Sequence, residues 1–186
     1  MKLATSCIAA TVIALGSVGA AHAQQMAPKA YGELGLVFLG ISGSDGVNSV
    51  QAAPMLLSGT VGYQLHPNVA VEGFLGFGIS KDEIDLNGAA SGVNAKAGNA
   101  FGVFLKPGFE PTPGVELFAR VGYVRSKIEL SAGGFSVSES DTDLAYGIGA
   151  SFNLSSASYI QANWMTYYKD QGLKADGIGL VYGIRF

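Results

Sequence analysis

The sequence predicts an all-β protein, an eight-stranded antiparallel up-and-down transmembrane β-barrel preceded by a cleaved signal peptide. Apolar residues recur at alternate positions along most of the chain, which is typical of strands with two different faces. Charged residues make up only 13% of the 186 residues, and 27 residues are glycine. The predicted connectors alternate between short turns and long loops, as in barrels that cross a membrane.

The composition excludes several other classes of protein. Hydrophobic residues make up 48% of the chain, which is too many for a disordered protein. The formal net charge is −3, whereas nucleic-acid-binding domains usually carry a basic face. After residue 23, no apolar run approaches the ~20 residues that a transmembrane helix needs. We therefore expect no nucleic-acid partner and no membrane-spanning helix.

Residues 1–23 are predicted to be a secretory signal peptide. Lys2 supplies the positive charge, and Ile8–Val18 is an apolar stretch of 11 residues, too short to span a bilayer as a helix. Ala21-His22-Ala23 matches the small-residue cleavage motif, so cleavage is expected between Ala23 and Gln24.

The remaining chain divides into two predicted regions. Residues 24–30 form a short periplasmic segment, and residues 31–186 form the barrel domain. Cleavage removes Cys7, the single cysteine of the chain. The mature protein is therefore expected to fold without disulfide bonds.

Eight strands are predicted from the alternation, and half of them have 11 residues, which matches the roughly 9–11 residues of a tilted transmembrane strand. They are placed at about Tyr31–Ile41, Met55–Leu65, Asn68–Ser80, Asn99–Phe109, Gly114–Ile128, Asp143–Leu154, Ala157–Lys169 and Asp176–Phe186. Tight turns are predicted at His66-Pro67, Glu110–Pro113 and Ser155-Ser156, long loops at Ser42–Pro54, Lys81–Gly98 and Glu129–Thr142, and a shorter loop at Asp170–Ala175.

The sizes of the side chains indicate which face points outward. Bulky apolar residues such as Val103, Ile148 and Leu180 share one face, while Gly76, Gly147 and other glycines share the opposite face. An eight-stranded barrel has room inside only for a limited set of side chains. The bulky face is therefore predicted to contact lipid. Aromatic residues near both ends of this face are expected to form two interfacial girdles: Tyr63, Phe109, Phe152 and Phe186 at one end, and Tyr123, Tyr146 and Tyr168 at the other.

The last three predicted strands carry a family resemblance. They read D-L-A-Y-G-I-G-A-S-F-N-L, Y-I-Q-A-N-W-M-T-Y-Y and G-I-G-L-V-Y-G-I-R-F. The chain resembles the small outer-membrane β-barrel family, which includes the OmpA/OmpX-type and opacity-type surface proteins. The resemblance implies residence in the outer membrane of a Gram-negative-type cell. The alternating connector lengths and the even strand number predict periplasmic termini and extracellular loops. The resemblance also implies that Tyr182, Ile184 and the terminal Phe186 form the signal for the barrel-assembly machinery.

The residue types argue against enzymatic or metal chemistry. The only histidine after residue 23 is His66, which precedes Pro67 in a predicted turn and has no neighbouring nucleophile. Asp82, Glu83 and Asp85 lack the ligand spacing of a calcium loop. We therefore expect no catalytic residues, no metal and no cofactor.

Six charged residues are predicted to face the lumen and to pair there. They are Glu33, Glu72, Lys106, Glu116, Arg120 and Arg185. Counting from the strand ends places Glu72 and Lys106 at one level, and closure of the barrel should bring Arg185 to Glu33 near the periplasmic mouth. Charges in a narrow lumen are costly unless paired, and the signs balance. Phe74, Phe104 and Phe118 would fill space between them. The alternative is that these charges simply contact water in the lumen.

Two functions fit these expectations. The first is a surface scaffold or interaction protein with mobile loops and an occluded lumen. The second is a small or gated channel. The expected partners are outer-membrane lipids and lipopolysaccharide, the barrel-assembly machinery and an external ligand bound by the loops.

Overall fold

The protein is represented by a computed structural model that describes residues 29–44, 49–87, 89–132, 135–170 and 173–186. The predicted signal peptide and the first five residues of the predicted periplasmic segment lie outside the described residues. Within these ranges, no helix is long and apolar enough to cross a bilayer. Ten β-strands are present, bounded as β1 Ala30–Ser44, β2 Ser49–Ala52, β3 Met55–His66, β4 Val69–Gly78, β5 Lys81–Leu86, β6 Ala89–Thr112, β7 Val115–Ala132, β8 Phe135–Asn153, β9 Ser158–Asp170 and β10 Leu173–Arg185.

Eight of these strands form the wall of a closed barrel. Their order around the wall is β1-β3-β4-β6-β7-β8-β9-β10, and β10 pairs with β1 to close it. All the pairs are antiparallel, and the closing pair runs from Tyr31 opposite Arg185 to Gly43 opposite Leu173. The predicted fold class, an eight-stranded up-and-down barrel, is confirmed.

The two short strands extend the wall at one end of the barrel. β2 pairs with the end of β1 and with β5, and β5 pairs with the beginning of β6. The break between β2 and β3 falls at Ala53-Pro54, where proline has no N–H to donate to a neighbouring strand. Two side chains accept hydrogen bonds from the backbone N–H groups on either side of this break. Asp82 accepts one from Ala53 N at 2.5 Å, and the Ser80 hydroxyl accepts one from Met55 N at 2.7 Å.

Most of the residues predicted as long loops belong to strands instead. β6 begins at Ala89, and β7 and β8 remain paired as far as Ala132 opposite Phe135. The prediction was wrong because serine, glycine and alanine were taken as loop signals. Hydrogen bonds to an adjacent strand keep such segments extended despite their low β-propensity. The end of the barrel that carries these extensions is called the hairpin end.

The opposite end carries the short connections and both ends of the barrel chain, and is called the short-turn end. Pro67-Asn68 and Pro113-Gly114 are turns, so β6 continues through most of the turn predicted at residues 110–113. Gly114 has φ +86°, a conformation that favours glycine. Phe186 N donates to Ala30 O at 2.9 Å, which joins the two chain ends.

The outer face of the wall is apolar, as predicted. Val103 is 62% exposed, and Ile148, Leu180 and Phe186 are exposed as well. Strand β1 follows the same rule, with Leu34, Leu36 and Phe38 outward and Val37 buried inside. Tyr168 is the exception to the predicted girdles. A register shift where β9 pairs with β10 precedes it, and Tyr168 lines a cavity inside the lumen.

Candidate functional site

A layer of polar side chains crosses the lumen near the short-turn end. Its members are Glu33 on β1, Glu72 on β4, Arg120 on β7 and Tyr159 on β9. Every second strand around the wall therefore contributes one residue. Because β1 and β7 are four strands apart in an eight-stranded wall, Glu33 and Arg120 come from opposite sides of the barrel.

Arg120 holds this layer together. Its Nε donates to Glu72 Oε2 at 2.6 Å and its Nη2 donates to Glu72 Oε1 at 2.9 Å. Nη2 also donates to Glu33 Oε2 at 2.8 Å. All three side chains are at least nine-tenths buried. Such a guanidinium fork can bind two carboxylates at once, which a lysine could not do with the same geometry.

Two tyrosines complete the hydrogen bonds of the carboxylates. Tyr31 donates to Glu72 Oε1 at 2.6 Å, and Tyr159 donates to Glu33 Oε1 at 2.8 Å. Each ring lies over a glycine that is its cross-strand partner, Gly62 for Tyr31 and Gly183 for Tyr159. A Cβ atom at either glycine would overlap the tyrosine ring. The inward-facing glycines therefore make room for the side chains that fix the polar layer.

Lys106 forms a second ion pair beside this layer. Its Nζ lies 3.2 Å from Glu116 Oε2 and 4.3 Å from the centre of the Phe118 ring. The prediction that Glu72 and Lys106 lie at one level is wrong. Glu72 lies opposite Phe104, and Lys106 lies opposite Ala70. Counting from strand ends failed because β6 reaches further toward the short-turn end than β4 does.

Arg185 does not pair with Glu33 among the described residues, so the predicted contact between them is wrong. Its Nη2 donates to Asn153 Oδ1 at 2.8 Å, and its guanidinium stacks 4.4 Å from the centre of the Tyr159 ring. Tyr159 takes the position next to Glu33 that was expected for Arg185.

Aromatic and apolar side chains fill the lumen beyond the polar layer. Phe74 and Phe104 are buried there. Phe118 is buried on the other side of Arg120, next to Lys106. All three face inward, as the alternation predicted. Gln161 and Asn163 of β9 are also buried on the inward side. Toward the hairpin end lies a cavity of about 50 Å³ with a mainly apolar lining that includes Val37, Leu56 and Tyr167.

Sequence reasoning missed Tyr31 and Tyr159 as members of the site. The spacing in the sequence could have indicated them. Tyr31 lies two residues before Glu33 and therefore on the same face of its strand, and Tyr159 shares a face with Gln161 and Asn163 in the same way. Only the strand register shows that each hydroxyl reaches a carboxylate.

The described residues offer little for catalysis or metal binding. They contain no group of three histidine, cysteine or acidic residues that could hold a metal ion. His66 is exposed at the end of β3, beside the Pro67-Asn68 turn. The buried carboxylates are already hydrogen-bonded by Arg120 and the two tyrosines, and these contacts join side chains from opposite walls of the barrel.

Comparison with known families agrees with the closed barrel of alternating faces. The family described as "Outer membrane protein beta-barrel domain" matches residues 8–186. The chain belongs to this family. The resemblance predicted from the last three strands is thereby confirmed. Membership of this family places the protein in the outer membrane of Gram-negative cells. No protein of curated function matches it by sequence.

Several solved outer-membrane barrels share its fold. Ail, the attachment invasion locus protein of Yersinia pestis, is 22% identical with a TM-score of 0.58, over 87% of this chain and 100% of Ail. Neisserial surface protein A is 12% identical with a TM-score of 0.67, over 84% of this chain and 97% of that one.

The N-terminal barrel of Pseudomonas aeruginosa OprF is 14% identical with a TM-score of 0.53, over 85% of this chain and 99% of that barrel. A further structure of Ail contains the heparin analogue sucrose octasulfate. At these identities the likeness concerns the fold.

Proposed function

We propose that this protein is a non-enzymatic surface scaffold whose lumen is closed and whose hairpin end meets external ligands. The observation that carries the proposal is Arg120, which binds carboxylates from β1 and β4 while it projects from β7. Side chains from opposite walls therefore meet in the middle of the lumen. Ions would have to break buried, hydrogen-bonded pairs to pass, and breaking such pairs is costly.

The proposed orientation places both termini in the periplasm. The described chain ends lie together at the short-turn end, and the extensions formed by β1 with β2, β5 with β6 and β7 with β8 lie at the other. In outer-membrane barrels the short turns are periplasmic and the longer connections are extracellular. Residues 1–23 would direct export and be cleaved between Ala23 and Gln24, which leaves residues 24–30 as a periplasmic segment.

The proposed partners follow from this orientation. The apolar outer face suits membrane lipids and lipopolysaccharide. Tyr182 and Ile184 on β10, and Phe186 directly after it, are exposed on this face, where the assembly machinery could bind them. The hairpin extensions would provide the surface for an external ligand. Ail with its bound heparin analogue supports a ligand role for small barrels of this fold.

A gated channel is the second candidate, and it rests on the difference between the two ion pairs. The Glu116 side chain is 28% exposed, whereas the carboxylates that bind Arg120 are almost fully buried. Lys106 could therefore leave Glu116 more easily than Arg120 could leave its partners. Opening of such a channel would require Lys106 to leave Glu116. It would also require the layer around Arg120 to rearrange.

Cysteine labelling and solute flux together test the scaffold proposal. The mature chain is predicted to lack cysteine, so Asp85→Cys on β5 gives a single thiol at the hairpin end, and Asn68→Cys gives a matched thiol in a short turn. An impermeant maleimide should label only Asp85→Cys in intact cells, and both variants after the outer membrane is opened.

Solute flux tests whether the lumen is closed. Vesicles containing the parent protein should swell no faster in small sugars than empty vesicles. Labelling of Asn68→Cys in intact cells would contradict the orientation, and rapid swelling would favour the channel.

A further inference from the structure

The hairpin half of the lumen differs in chemistry from the polar layer. Two buried apolar clusters lie there, and Tyr167 packs against both of them. The first consists of Phe74, Ala100, Phe104, Val124, Ala145 and Met165, and the second of Val37, Leu56 and Ala97. With Ala175 of β10, which lines the same space, all eight wall strands contribute a residue.

Tyr167 reaches this position because of a β-bulge. Thr166 pairs with Asp176 and Tyr168 pairs with Ala175, so Tyr167 has no cross-strand partner on β10. The extra residue lies inside the barrel, where its ring centre is 6.2 Å from that of Phe74. Bulges often re-aim a side chain in this way next to a functional site.

The space left around Tyr167 is poorly suited to water or ions. The cavity there has a volume of about 50 Å³ and is lined mainly by apolar side chains. A buried water needs several polar partners, and apolar cavities stay dry. Hydrophobic constrictions stop ions by excluding the water that would hydrate them.

We infer that the barrel is closed twice, and that the second closure is an apolar seal centred on Tyr167 that acts independently of the ion pairs. This inference rests on the proposed function, in that it explains why a lumen without the ion pairs of Arg120 would still not conduct. Two barriers in series carry a specific consequence. Removal of either barrier alone leaves the barrel closed, and removal of both opens it.

Single-channel recording on four refolded proteins tests this logic. The polar layer is neutralised by the triple change Glu33→Gln, Glu72→Gln and Arg120→Gln, which removes both charges of each pair and leaves no unpaired ion. The seal is opened by Tyr167→Ser, and Tyr146→Ser, on the outward face, is its matched control. Heat-modified mobility on gels verifies that each protein has folded.

Channel openings are expected only when the triple change and Tyr167→Ser are combined. The triple variant alone and the triple variant with Tyr146→Ser should give no openings. Openings in the triple variant alone would overturn the seal, since the layer around Arg120 would then be the whole barrier. A silent combined variant would also overturn it, because Tyr167 would not be the closing element. Openings in the parent would instead refute the proposed function.

Thiol accessibility gives a second measurement that does not depend on conduction. Ala100→Cys places one thiol in the apolar cluster, and a small charged thiol reagent is applied to the refolded protein in vesicles. We expect negligible labelling in the Tyr167 background and rapid labelling with Tyr167→Ser. Equal labelling in both backgrounds would show that Tyr167 does not exclude water from this half of the lumen.

Discussion

Arg120 on β7 and Glu33 on β1 belong to opposite walls of the barrel, yet Nη2 and Oε2 lie 2.8 Å apart. Three strands lie between them around the wall in either direction. The contact therefore joins side chains from opposite walls across the lumen. Glu72 from the strand midway between them binds the same guanidinium at 2.6 Å, so three wall strands meet at Arg120.

Removal of Arg120 should strongly destabilise the barrel. Arg120→Met leaves two buried carboxylates with tyrosine partners only, and loss of one partner of a buried pair costs about 3–5 kcal/mol. The measurement is the free energy of unfolding in urea for protein refolded into vesicles. Arg125→Met on the same strand is the control, because Arg125 is exposed and forms no ion pair within the described ranges. Its effect should stay within about 0.5 kcal/mol, and equal losses for the two variants would contradict the role of Arg120.

A charge on the outer face should be costly in proportion to its depth in the membrane. Val103→Arg lies mid-strand on the outward face and should lower the free energy of unfolding by about 2–4 kcal/mol in bilayers. Leu65→Arg is matched in exposure, 61% against 62%, but lies at the short-turn end, where the cost falls to about 0–1 kcal/mol. If Val103→Arg folds into vesicles as stably as the parent, the assignment of the lipid face is wrong.

Gly183 should tolerate no side chain. A Cβ atom there overlaps the Tyr159 ring, so Gly183→Ala must displace Tyr159 from Glu33 and cost about 1–3 kcal/mol through overpacking. Gly59→Ala on the outer face is the control, since the nearest atom to its Cβ would be Glu33 O at 3.9 Å. Urea unfolding of both variants measures the difference. Similar stabilities would show that Tyr159 moves aside freely.

The terminal aromatic residue should matter for assembly and not for the stability of the folded barrel. Phe186→Ala is expected to lower the amount of protein in the outer membrane of cells, while refolding into vesicles proceeds normally. Phe152→Ala removes another exposed aromatic near the short-turn end and should leave the cellular level closer to that of the parent. Equal cellular levels for both variants would refute the assembly signal.

The segments that form the barrel wall, and the side of the wall to which each side chain points, could be predicted from the sequence. Both depend on the local alternation of residues. Val103 faces out and Phe104 faces in as their positions require. The partners of Arg185 and Glu33 could not be predicted, since they depend on the stagger between strands and on Tyr159, which occupies the space beside Glu33. Tyr168 was misassigned for a related reason: one extra residue in β9 reverses the alternation beyond it, and no local pattern marks where that residue is inserted.

The extended hairpins were missed although part of their signal is visible. Ser136, Ser138 and Ser140 occupy alternate positions, with Val137 and Glu139 between them. This is the alternation of a strand, although most of these residues have low β-propensity. Their strand state comes from pairing with β7, which continues to Ala132. Propensity read residue by residue cannot detect support of that kind.

Single-channel recording in planar bilayers tests most directly the claim that the lumen is closed. The refolded parent protein should give no large, steady conductance, because Arg120 and its partners bridge opposite walls. Lys106→Ala recorded beside it should stay closed as well, since this change frees only the partly exposed Glu116 and leaves the layer around Arg120 in place. A large and steady conductance in the parent protein would contradict the closed-lumen account and make the channel the better description.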